Sequence, residues 1–66
     1  MNVEELRLEI AKHELALKNL QDTWESTQLE IHLNMCEEFY DAGNYSLAER
    51  ALMTVREFAE KVKEQS

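Results

Sequence analysis

His32 and Cys36 stand one helical turn apart, the spacing at which two side chains can grip one metal ion, and a pair of chains would bring four such ligands together. The competing expectation is that Cys36 is a small core hydrophobe and His32 the flank of the same face, because free cysteine is among the most buried residue types. Metal binding through His32 and Cys36 is therefore kept as a distant alternative, and no metal or other cofactor is assigned. His13 falls inside an apolar seam, where a histidine serves as a polar register device or a core edge more often than as a ligand or pH switch. No Gly-rich phosphate loop, nucleophile elbow, zinc-finger spacing or EF-hand loop is present, and no catalytic residue is assigned.

The sharpest chemical feature is acidic. Glu30, Asn34, Glu37 and Asp41 recur at i, i+4, i+7 and i+11 with Glu38 alongside, a row on one side of a helix. Residues 19–49 hold Asp22, Glu25, Glu30, Glu37, Glu38, Asp41 and Glu49 without one Lys or Arg, so the whole net charge of −7 sits in the middle of the chain. Such a row is either a solvated face or a docking strip for a basic protein. Direct binding of nucleic acid is disfavoured, because phosphates would meet repulsion and the cations are scattered.

The elements that must position these residues are helices. Gly43 is the sole glycine and there is no proline, so 41–44 is the one place where the backbone turns cheaply. Past it, Tyr45, Ala48, Leu52, Val55, Ala59 and Val62 alternate by three and four, which predicts a helix over about 45–64 with one buried face. Its start is marked by Ser46 and Glu49 at capping-box spacing, with Asn44 a competing cap. Glu49, Arg56, Glu60 and Lys63 fall on its solvent side. In the first half, Asn2 with Glu5 marks a helix start, and Val3, Leu6, Ile10, His13, Leu17, Leu20, Trp24, Thr27 and Ile31 keep heptad spacing.

A second apolar line runs through Leu8, Ala11 and Leu15 and resumes as Leu29, Leu33, Cys36 and Tyr40, so the helix before the glycine needs at least two neighbours. Two architectures meet that need. The favoured one is an all-α antiparallel hairpin, a long helix over about 3–41 (about 58 Å) against the shorter second helix. A second copy then completes a coiled-coil-like bundle through the seam Val3, Leu6, Ile10, His13, Leu17, Leu20, Trp24 and Ile31. The alternative is a monomeric three-helix bundle broken near 22–27, where Asp22 with Glu25 and Thr27 with Glu30 both have capping spacing.

Cys36, Phe39, Gly43, Tyr45 and Ala48 occupy a small-aromatic-turn pattern of the type Gly-x-Tyr-x-x-Ala. This stretch resembles the helix-turn-helix of tetratricopeptide repeats and the first two helices of the microtubule-interacting-and-trafficking bundle. What the resemblance implies is a helical hairpin; His32 stands where the repeat prefers tryptophan and no proline follows.

At 66 residues there is room for one domain, in the size range where a partner often completes the core. A single cysteine, no cationic start followed by an apolar run, and no bilayer-length segment point to a reduced, soluble, cytoplasmic chain. The expected function is that of a small non-enzymatic interaction or regulatory protein, homodimeric, with the acidic face (Glu30, Asn34, Glu37, Glu38, Asp41) docking a basic partner. Its alternative is a monomeric helical adaptor or co-chaperone that takes a partner helix in an apolar groove.

Overall fold

The computed structural model describes residues 1–65, the last of them by its backbone alone. Three helices follow one another: α1 (Val3–Leu17), α2 (Trp24–Asp41) and α3 (Tyr45–Gln65). The long helix over 3–41 is not formed. The chain leaves α1 after Leu17 and re-enters helix at Trp24, so the three-helix alternative describes the fold, with a break that begins some four residues earlier than 22–27.

The local chemistry explains the break. Thr23 is extended (φ −124°, ψ 170°), and its Oγ1 accepts from the Ser26 N–H at 3.1 Å. The Ser26 Oγ in turn accepts from the Thr23 N–H at 2.9 Å and donates to the Thr23 carbonyl at 3.0 Å. This is a capping box built from a serine where the usual pattern has a glutamate, and it satisfies donors that a new helix would otherwise leave bare. Ser26 is buried, and those local bonds let a hydroxyl sit there without penalty.

The second turn is the one the glycine marks. Gly43 has φ 79°, its N–H donates to the Tyr40 carbonyl at 3.0 Å, and the Asn44 N–H donates to the Phe39 carbonyl at 2.8 Å. That pair of bonds is a Schellman motif closing α2. Asn44, rather than Ser46, caps α3: its Oδ1 accepts from the Leu47 N–H at 3.3 Å. Glu49, freed from that role, faces the amino terminus of Met1 at 3.5 Å.

Helices α2 and α3 pack along their length and run antiparallel, since the pairs Tyr40 with Tyr45, Cys36 with Ala48 and His32 with Phe58 step away from the turn. Helix α1 folds back over both and runs parallel to α3, with Met1 near Glu49 and Glu9 near Arg56. The core draws on all three: Leu6 and Ile10 from α1, Leu29, Leu33 and Cys36 from α2, Ala48, Leu52 and Val55 from α3. The second neighbour that α2 requires is thus the chain's own N-terminal third. Among the described residues no helix is long and apolar enough to cross a membrane.

Replacing Thr23 with Ala removes the cap that starts α2. Denaturant unfolding is expected to show a loss of about 1 kcal/mol, with a smaller loss for Thr27→Ala, whose exposed hydroxyl only donates to the Thr23 carbonyl.

Candidate acidic face and apolar end groove

The fold places the acidic row in two settings. Glu30, Asn34, Glu38 and Asp41 are exposed on α2, whereas Glu37 turns toward α1 and is half-buried. There it meets Glu14, a residue that spacing along α2 could not reveal, because it arrives only when α1 folds back. Arg7, Ile10, Ala11 and Glu14 of α1 and Glu37, Tyr40 and Asp41 of α2 line one surface concavity between the helices. Partial burial, then the Glu14 carboxyl, then the charge of Asp41 push the Glu37 carboxyl up to about 7 from its ordinary 4.5.

A second charge cluster ties α1 to α3. The Arg56 guanidinium donates to both carboxylate oxygens of Glu9, 2.6 Å each, and His13 Nε2 lies 3.6 Å from the same carboxylate. Arg56, which the sequence places on the solvent side of α3, is exposed there and also reaches across to α1. The guanidinium beside Glu9 holds that carboxyl below the ordinary carboxylate range. Being exposed, such a pair sets the register of α1 more than it adds stability.

The seam predicted for a second copy is divided by the break. Leu6 and Ile10 are spent in the chain's own core, and His13, Leu17 and Leu20 are half-buried. Val3, Trp24 and Ile31 are exposed, Trp24 at 64% with its ring edge-on to Phe58 at 5.7 Å. Phase is lost because 18–23 is not helical, so the residues after it no longer share a face with those before.

At the end of the bundle away from Gly43, His13 and Ala16 of α1, Leu20, Leu29 of α2, and Ala59 and Val62 of α3 line a groove of about 300 Å³ with nearly all-apolar walls. Cys36 and His32 lie elsewhere and in different surroundings. The Cys36 Sγ is fully buried and donates to the Ala48 carbonyl at 3.1 Å, and burial pushes its thiol up to about 11, far from the thiolate a metal needs. The His32 ring is 2.8 Å by Nδ1 from the Gln28 carbonyl and stacks on Phe58 at 5.6 Å. Among the described residues no group of three or more His, Cys, Asp or Glu is placed to hold a metal ion.

No known protein family, curated protein or solved structure matches the chain.

The raised Glu37 carboxyl gives stability a distinctive pH dependence. A group whose folded value lies above its unfolded one favours folding fully below about 4.5 and loses that contribution as pH rises through about 7. Thermal unfolding of the native chain is expected to show stability falling between those values on this account. In Glu37→Gln that decline flattens, while the acid-side loss from Glu9, whose value is depressed, remains.

Proposed function

We propose that the protein is a small non-enzymatic interaction protein that acts as a homodimer and docks a basic protein on the acidic side of α2. The observation that carries this reading is the placement of the carboxylates. Glu30, Glu38 and Asp41 stand exposed on a helix without a Lys or Arg, and the fold sets Glu14 and Glu37 beside Asp41 in a concavity that Arg7 of α1 also lines. Like charges held together at a surface cost free energy in the free protein, and a partner's cations placed over them recover it. Attraction of this kind speeds encounter and weakens with salt. A lone buried free thiol suits a reducing, cytoplasmic setting.

A second reading, a monomeric adaptor that receives an apolar helix, is favoured by the end groove between His13, Leu20, Leu29 and Val62. The two differ in which substitutions matter. Charge reversal of Glu30, Glu38 and Asp41 to Lys leaves the core untouched, so helicity by circular dichroism is expected to be unchanged. Capture of a partner from the native cell is expected to fall by at least tenfold. Undiminished capture leaves the row a solvated face and shifts the case to the groove, where Leu20→Glu becomes the disruptive change.

A further inference from the structure

Helix α1 is apolar on two opposite sides. Leu6 and Ile10 face the core, while Leu8, Ala11 and Leu15, about 200° around the cylinder, form an outward line. Leu8 and Leu15 are exposed at 70% and 63%, among the barest large hydrophobics of the described chain. A line of exposed apolar residues at helical spacing asks for a helix to lie on it.

The charges around the line identify the occupant. Glu4 lies at its N-terminal end and Lys18 at its C-terminal end, and along the α2-facing flank Arg7 precedes Glu14 by two turns. Laid parallel on a copy of itself, the helix would set Glu4 on Glu4 and Lys18 on Lys18. Laid antiparallel about Ala11, it sets Glu4 on Lys18 and brings Arg7 within one residue of Glu14, each pair made twice by the two-fold axis against a single Lys12–Lys12 approach on the other flank, and opposes the helix dipoles favourably. We infer that the outer face of α1 is where a second copy of this chain docks, antiparallel, with Leu8 of one copy packed beside Leu15 of the other. This surface gives the homodimer of the preceding section its location and rests on that reading.

The second copy's Arg7 reaches Glu14, the residue whose carboxyl crowds Glu37, so association adds a second guanidinium to the carboxyls of a concavity that the chain's own Arg7 lines. The two copies bury Leu8 and Leu15 while leaving the exposed acids of α2, Glu30 and Glu38, open to another protein.

Sedimentation of the full chain over a concentration series tests the surface, with Leu8→Gln/Leu15→Gln as the variant, because both side chains stand outside the core. Native chain is expected to dimerise, and the double variant to do so at least tenfold more weakly at unchanged helicity. A monomeric native chain at every concentration overturns both this surface and the homodimer. A double variant that dimerises as well as the native chain overturns the surface alone. Orientation is read by mixing the single variants Glu4→Cys and Lys18→Cys under oxidation, Cys36 being buried. Cross-linking between the two variants is expected, and self-linking of Glu4→Cys overturns the antiparallel arrangement.

Discussion

Helix α2 has to be covered on two sides at once, and everything else in the molecule answers to that. Its inner arc runs from Leu29 through Leu33 and Cys36 to the half-buried Tyr40 and Phe39, wider than one neighbouring helix can cover. The Gly43 turn lays α3 on one side. The other side is covered only because the helix stops at Lys18, which lets α1 fold back and lay Leu6 and Ile10 against α2. Each fully buried leucine or isoleucine is stabilising by about 1.5–3 kcal/mol. The six-residue connection gives up only a few intrahelical bonds, and the Thr23 and Ser26 hydroxyls replace part of those. Burial therefore outweighs continuity of the helix.

How much of this the sequence discloses depends on the kind of signal each element carries. Helix α3 is legible because its apolar positions keep one phase and a lone glycine, in the left-handed region that only glycine enters freely, marks where it begins. The break before α2 is hidden because no Gly or Pro stands there and its cap pairs Thr23 with Ser26 instead of an acid. The heptad also runs through it, since Leu20 keeps the spacing although it sits outside any helix and packs onto the core from the connection. Spacing records distance along the chain, and a loop of suitable length preserves it while turning the next face elsewhere.

The same distinction governs the acidic face. Glu30, Asn34, Glu38 and Asp41 are placed by one helix and can be read from its period. Glu14 beside Glu37, and Glu9 on Arg56, come from residues far apart in the chain and exist only once α1 is docked. The two encounters act in opposite directions: one joins unlike charges and fixes how far along α3 the first helix sits, the other sets like charges together at the seam with α2. A chain of this size buries a smaller fraction of its surface than larger domains do, so apolar residues such as Trp24 and Met53 remain outside the core that the single chain forms.

The fold-back of α1 is the claim on which the shared acidic cleft and the outward line of α1 both depend. It is tested most directly by the distance between spin labels placed at Arg7 and Asp41, measured by pulsed electron resonance in chain diluted with unlabelled protein. An unbroken helix would hold those positions about 51 Å apart at 1.5 Å per residue. They line one concavity in the folded-back chain, so a separation well under half that length is expected; a distance distribution centred near the full length would contradict the fold and the surfaces derived from it.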